Sequence, residues 1–114
     1  MISIAWAYDT TSTARGIRIL VDRLWPRGIS KEKLIVDRWM REIAPSDDLR
    51  KWYSHIPERW DEFRVRYFSE LKNNPMVEQL IQLCRTEDVV FIFSSKERVH
   101  NNATALMEYV VERL

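Results

Sequence analysis

A histidine and two asparagines follow the last apolar segment of the chain. Residues 91–93 are apolar, and a polar stretch leads from them to His100, Asn101 and Asn102, where a helix is predicted to begin. In open α/β sheets, ligands bind beyond the carboxyl ends of the strands, where backbone amides and positive helix ends converge. We therefore expect the working site here. His100 is the candidate catalytic residue, because an imidazole can take up and release a proton near neutral pH.

The neighbouring polar residues have both a ligand-binding and a structural interpretation. Lys96, Asn101 and Asn102 are candidate ligand-binding residues, since an ammonium group and two amides can donate hydrogen bonds to an anion. Asparagine is also a preferred N-cap, so one of the pair could serve only to begin the helix. The hydroxyls of Ser94 and Ser95 are interpreted as turn-forming groups, because no Gly-x-Ser-x-Gly elbow surrounds them.

A second cluster follows an earlier predicted strand and contains Arg23, Trp25 and Arg27. A guanidinium group binds carboxylate or phosphate through a planar fork, and an indole offers a wall on which a ring can stack. The cluster therefore predicts an anion-binding loop, with all three residues as ligand-binding candidates. In the alternative interpretation, Arg23 pairs with Asp22 or Glu42 and Trp25 packs beneath a loop.

The sequence favours neither a metal nor a cofactor site. Only two histidines and one cysteine are present, and they lack the close spacing of metal ligands. His55 lies at the end of a predicted helix, where a C-terminal cap is the favoured role. Cys84 lies on an apolar helical face, which predicts a buried thiol and a reducing compartment. We expect no bound metal and no cofactor.

Composition limits the class of protein. The 114 residues suit one domain, residues 1–114, with no linker. Eighteen basic and 17 acidic side chains give a net charge of +1, which makes nucleic acid a disfavoured partner. We expect a cytoplasmic protein with no membrane association, since the chain has no signal-like start and no long apolar run.

Periodicity and turn residues predict an α/β fold, a single layered domain with a small, mainly parallel sheet flanked by helices. A polar loop at 9–13 separates the first two strands, which either pair antiparallel or are joined irregularly, because so short a connection is unusual for a parallel crossover. Residues 35–40 form a strand or continue the preceding helix, and we favour the strand. The predicted strands are 2–8, 17–22, 35–40 and 88–93, and the predicted helices are 31–34, 47–55, 57–72, 75 to at least 84, and 103–113.

Four segments together resemble the YeaO-like family, a group of uncharacterised α/β proteins with a domain of unknown function. They are residues 20–32, 39–46, 49–53 and 100–103, and the likeness extends over nearly the whole chain. The resemblance implies the fold but carries no agreed activity. Family members often have Ala-Ala-Lys where this chain has Ser-Ser-Lys, and a second histidine where it has Asn102, which argues against a mechanism that needs two imidazoles.

Three functional hypotheses follow. The first is a small enzyme, or a domain derived from one, that binds a small anionic, nucleotide-like ligand between the Arg27 loop and His100. The second is a non-catalytic binding module for a protein or nucleic-acid partner. Its phosphate contacts would come from Lys31, Lys33, Arg38, Arg41, Arg50 and Lys51. The third is association of identical chains through an exposed Trp39 or Trp52.

Overall fold

A parallel sheet organises the molecule. The computed structural model describes residues 1–9 and 11–114. The strands are β1 (Ile2–Trp6), β2 (Ile17–Leu20), β3 (Arg38–Trp39) and β4 (Val89–Phe93). Their order is β1-β4-β2-β3, and each neighbouring pair is parallel. The predicted α/β fold with a small parallel sheet is confirmed.

Strand β4 is the centre of the sheet and is buried along its whole length. Its side chains alternate between two cores, as successive residues of a strand must. Val89, Phe91 and Phe93 belong to the larger core, whereas Val90 and Ile92 belong to the smaller one. This position explains the uninterrupted apolar run, because a strand covered on both faces has no polar side.

The larger core is built by four helices. They are α1 (Asp47–Tyr53), α2 (Trp60–Lys72), α3 (Met76–Thr86) and α4 (Asn102–Val111). Each contributes buried residues to this core. The smaller core is covered instead by the segment after β2, through Leu34 and the half-buried rings of Trp25 and Trp39. That segment brings the predicted anion-binding loop against the sheet.

Two helix starts are set by side-chain caps. Ser46 caps α1 by accepting a hydrogen bond from the Leu49 amide at 3.2 Å, which confirms the start predicted from its sequence. Asn101 caps α4 in a reciprocal arrangement with Thr104. The helix predicted from Pro57 begins with a 3₁₀ turn, Pro57–Arg59, and continues as α2. The helix predicted to reach residue 55 ends at Tyr53, because the next two residues have positive φ.

The predicted helix at 31–34 is wrong. The amides of Lys33 and Leu34 both donate to the Ser30 carbonyl, at 3.1 and 2.9 Å, which closes a single turn. Leu34 is then buried in the smaller core, and the chain continues into the β-branched residues 35–36, which favour extended backbone. A single turn therefore stands where the helix was predicted.

The other strand predictions were too long or left open. Residues 35–40 do not continue a helix, and only Arg38–Trp39 pairs with β2. Strands β1 and β2 end at Trp6 and Leu20, although the amides of Ala7 and Val21 still donate to β4 carbonyls. Because β4 lies between β1 and β2, the two do not pair antiparallel, and the irregular connection is the correct alternative. The predicted loop at 9–13 includes Thr10, which lies outside the described residues.

The helices are short. The longest in the described chain, α2, has 13 residues. None of the helices over residues 1–9 and 11–114 has the length and apolarity needed to cross a bilayer.

Candidate functional site

A cavity of about 740 Å³ lies beyond the carboxyl ends of β1, β2 and β4. Parallel strands bring these ends to one edge of the sheet, so segments far apart in the chain share the cavity wall. Five of the candidate residues predicted from the sequence line it: Arg23, Trp25, Arg27, Lys96 and Asn102. The loop after β2 and the loop after β4 thus meet at one site.

Asp22 holds these two loops together. Its Oδ2 accepts hydrogen bonds from the Ser94 amide at 2.9 Å and the Ser94 hydroxyl at 2.6 Å. Its Oδ1 accepts from Nδ2 of Asn102 at 2.9 Å, and the same Asn102 nitrogen lies 3.1 Å from the Val21 carbonyl oxygen. Burial raises the pKa of Asp22, an effect opposed by the hydrogen bonds from Ser94 and Asn102. Asp22 therefore joins the ends of β2 and β4 to the first turn of α4.

The hydroxyl of Ser94 is occupied by this bond. The predicted turn-forming role is therefore wrong for Ser94, because its hydroxyl donates to Asp22, 72 positions earlier in the chain. Ser95 makes a local turn, with its Oγ accepting from the Glu97 amide at 3.0 Å.

Four basic side chains line the cavity: Arg23, Arg27, Arg50 and Lys96. Nη2 of Arg50 lies 3.3 Å from Oδ1 of Asp47. Arg27 and Lys96 are exposed, and neither forms an ion pair within the described part of the chain. These two cations are therefore the groups best able to meet an anion.

Arg23 is largely engaged by the protein. Its Nη2 donates to the carbonyls of Ala44 and Pro45 at 3.2 Å each, and its Nε donates to Pro45 at 3.3 Å. Its Nε also lies 3.8 Å from Oδ1 of Asp47. Arg23 thus pairs with neither of the acids considered from the sequence, and its main contacts fasten the β2 loop to the segment before α1.

Aromatic rings form much of the remaining wall. They are Trp6, Tyr8, Trp25, Tyr53 and Phe63. Trp25 is fixed by a 2.7 Å hydrogen bond from Nε1 to the Ile29 carbonyl and packs edge-on to Trp39, with ring centroids 5.5 Å apart. The Tyr8 hydroxyl donates to the Arg27 carbonyl at 2.7 Å. The wall therefore combines packed aromatic surface with the exposed charges of Arg27 and Lys96.

The structure places His100 and Asn101 differently. Neither is among the described side chains that line the cavity. Asn101 is buried as the α4 cap, and its Nδ2 donates to the Glu97 carbonyl at 3.1 Å. The His100 ring stacks on Trp60 with centroids 4.7 Å apart and planes 14° apart. Its carbonyl accepts from the Tyr53 hydroxyl at 3.1 Å, so the backbone of His100, rather than its imidazole, faces the cavity wall.

Sequence reasoning did not place Asp22 or His55 in the cavity wall, and it considered Arg50 only as a phosphate contact of the second hypothesis. Helical spacing offered one signal, since Arg50 and Tyr53 are three positions apart and share a face of α1. No local pattern places His55 in the wall, because its position depends on the positive φ values after α1.

Other groups lie outside this site. Cys84 is buried, as predicted, and burial raises the pKa of its thiol to about 11. Among the described residues, no three His, Cys, Asp or Glu side chains are grouped to hold a metal ion. The expected absence of a metal stays a prediction.

The two tryptophans considered for self-association are half-buried rather than exposed. Trp39 donates from Nε1 to the Asp22 carbonyl at 2.8 Å and lies under the Arg41 guanidinium. The guanidinium carbons of Arg59 and Arg66 lie 5.1 and 4.5 Å from the Trp52 ring centroid. Association of identical chains stays a prediction.

Comparison with protein families identifies the chain. A family model described as "Inactive DUF488-N3 subclade" matches residues 1–114. The chain belongs to this subclade. It is 36% identical over 104 residues to the uncharacterised protein YeaO of Escherichia coli, covering 90% of each chain. It is also 36% identical over 107 residues to the uncharacterised protein Rv3073c of Mycobacterium tuberculosis, covering 94% of this chain and 91% of the relative.

These matches confirm the resemblance to the YeaO-like family that the sequence motifs indicated. No solved structure matches this chain.

Proposed function

We propose that this protein binds a small anion carrying a planar or apolar group, of the nucleotide-like kind, and that it does so without catalysing a reaction. The observation that carries the proposal is the cavity of about 740 Å³, in which two cations without ion-pair partners in the described chain stand among aromatic rings. Its volume lies within the roughly 300–1,000 Å³ of small-molecule sites.

Charge supports an anion. Arg27, Lys96 and Arg50 line the wall with Asp22 as the acid among them, and the Asp22 carboxylate is already bound by Ser94 and Asn102. The wall is therefore cationic although the whole chain has a net charge of only +1. A local cationic surface with partly apolar walls concentrates anions without attracting long polyanions.

The rings support a ligand with a flat or apolar part. Trp25 and Tyr53 are held by packing against Trp39 and Phe63, so their surfaces lose little conformational entropy on binding. A simple inorganic anion would bind the charged side chains and leave the aromatic surface exposed to water. A phosphate or carboxylate joined to a ring would use both.

Two observations favour binding over catalysis. The His100 imidazole, the candidate proton-transfer group, stacks on Trp60 and does not line the cavity. The subclade to which the chain belongs is described as inactive. Both are consistent with a cavity that holds its ligand and releases it unchanged.

Isothermal titration calorimetry with adenosine 5′-monophosphate (AMP) and with inorganic phosphate tests the proposal. The wild type should bind AMP more tightly than phosphate. Arg27→Ala and Lys96→Ala should each weaken AMP binding about tenfold, the scale of a charge-assisted hydrogen bond. Neither should change the melting temperature measurably, because the hydrogen bond from Tyr8 to residue 27 uses the backbone carbonyl.

Lys51→Ala is the matched control, since Lys51 is exposed on α1 and does not line the cavity. Its AMP affinity should equal that of the wild type. The proposal fails if neither probe binds and native mass spectrometry finds no co-purified anion. An equal loss of affinity in Lys51→Ala would also contradict it, and would favour a diffuse basic surface for nucleic acid, especially with a steep salt dependence.

A further inference from the structure

The turn that follows α1 has an unusual backbone. Ser54 and His55 have φ values of 45° and 55°, and the Ile56 amide donates to the Tyr53 carbonyl at 2.9 Å. Two consecutive positive φ angles inside such a hydrogen-bonded turn are usually adopted by glycine, asparagine or aspartate. Here a serine and a histidine occupy them, which strains the backbone at both positions.

Ending α1 requires only one of these angles. A single left-handed residue closes a helix, and Ser54 provides it, with its amide donating to the Arg50 carbonyl at 3.1 Å. The second positive φ, at His55, therefore serves something other than the cap. It belongs to the turn that Tyr53 and Ile56 close, and residues with strained backbone cluster at functional sites, which makes His55 a candidate for a functional role.

The second angle places the imidazole at the cavity. His55 lines the wall together with Arg50 and Tyr53, and its ring packs edge-on to Tyr53 with centroids 5.5 Å apart. The side chain is exposed and so is accessible to a ligand. The chain's other imidazole, on His100, is instead covered on one face by Trp60.

We propose that His55 is a ligand-binding residue that donates a hydrogen bond from its imidazole to the bound anion. The inference rests on the proposed function and adds a third segment, the end of α1, to the binding wall. Arg50 and His55 then approach the ligand from one segment, while Arg27 and Lys96 approach it from the loops after β2 and β4. An anion with several acceptor oxygens can satisfy donors from all three, which favours a phosphate over a single halide-like ion.

Nuclear magnetic resonance of the histidine rings tests this directly, because the chain has only two histidines. With AMP or inorganic phosphate added to the wild type, the ring signals of His55 should shift progressively, while those of His100 should stay nearly constant. Assignment follows from the loss of one set of signals in His55→Gly. Binding of AMP without any His55 shift would overturn the inference and leave the proposed function intact.

Two glycine variants separate ligand contact from backbone strain. His55→Gly and Ser54→Gly each relieve one positive φ, so each should melt at the wild-type temperature or up to about 6 °C higher. Only His55→Gly should weaken AMP binding, by about tenfold. Unchanged affinity in His55→Gly, or an equal loss in Ser54→Gly, would refute a contact by the ring. Absence of AMP and phosphate binding by the wild type, with no co-purified anion in native mass spectrometry, would instead refute the proposed function.

Discussion

Asp22 and Asn102 are 80 positions apart in the chain, yet the Asn102 amide donates to the Asp22 carboxylate at 2.9 Å. The same carboxylate accepts two hydrogen bonds from Ser94 at the end of β4. Three segments of the cavity wall thus share one half-buried acid. The stability of these three segments and the arrangement of the groups that line the cavity therefore both depend on Asp22.

Replacing Asp22 with asparagine should destabilise the protein by about 1 to 3 kcal/mol at pH 7, because an amide nitrogen would then face the donors of Ser94 or Asn102. Urea unfolding followed by tryptophan fluorescence measures the loss. If Asp22→Asn is as stable as the wild type, these hydrogen bonds do not hold together the loops after β2 and β4.

The stability difference between wild type and Asp22→Asn should also depend on pH. Burial raises the pKa of Asp22 above its ordinary value of 3.8, so the folded protein keeps this proton at pH values where the unfolded chain has lost it. The stabilising contribution is complete below that value and is lost as pH rises through the raised pKa. The wild-type advantage should therefore shrink as pH rises above 3.8. A wild-type advantage that grows with pH would contradict a raised pKa of Asp22.

Arg23→Ala should lower the free energy of unfolding by about 1 to 2 kcal/mol, since it removes hydrogen bonds to the Ala44 and Pro45 carbonyls. Arg23→Lys should recover little, because an ammonium group cannot reproduce the planar fork. Arg27→Ala in the same loop is the control and should keep wild-type stability. If Arg23→Ala unfolds like the wild type but no longer binds AMP, Arg23 is an anion ligand, as its sequence position first indicated.

Asn101→Ala should cost about 1 to 3 kcal/mol of stability, because it removes both the α4 cap and a buried hydrogen bond to Glu97. Asn101→Asp keeps an acceptor for the Thr104 amide and should lose less. Thermal unfolding measures both variants. AMP affinity, measured where each variant is fully folded, should match the wild type. A loss of AMP affinity in a variant that is fully folded would show that Asn101 is a ligand-binding residue.

The two glycines give a matched pair. A Cβ at Gly16 would lie 2.4 Å from the Asp88 carbonyl oxygen, so Gly16→Ala should cost about 3 kcal/mol or more by forcing the start of β2 away from β4. Gly28 has φ +76° with nothing near its Cβ position, so Gly28→Ala should cost only about 1 kcal/mol of backbone strain. Denaturant unfolding compares them, and equal losses would show that the contact with Asp88 relaxes.

Local signals predicted much of the fold. Ser46 and the two acids after it define the start of α1, and the apolar run of β4 identifies a strand covered on both faces. The helix at 31–34 failed because the hydrogen bonds to the Ser30 carbonyl close only one turn before the β-branched residues 35–36, which favour extended backbone. The order of the strands was also beyond local signals, since β4 comes from the far end of the chain to separate β1 from β2.

The sequence by itself determined that basic and polar side chains follow β2 and β4, and parallel pairing then required them to meet at one edge of the sheet. It could not decide which histidine ring reaches the cavity. Tertiary structure decided that, because the Trp60 ring on α2 holds the His100 imidazole, while two positive φ angles after α1 turn His55 toward the wall. Residue type specifies what a side chain can do. Its direction depends on packing partners and backbone angles that are distant in sequence or disfavoured locally.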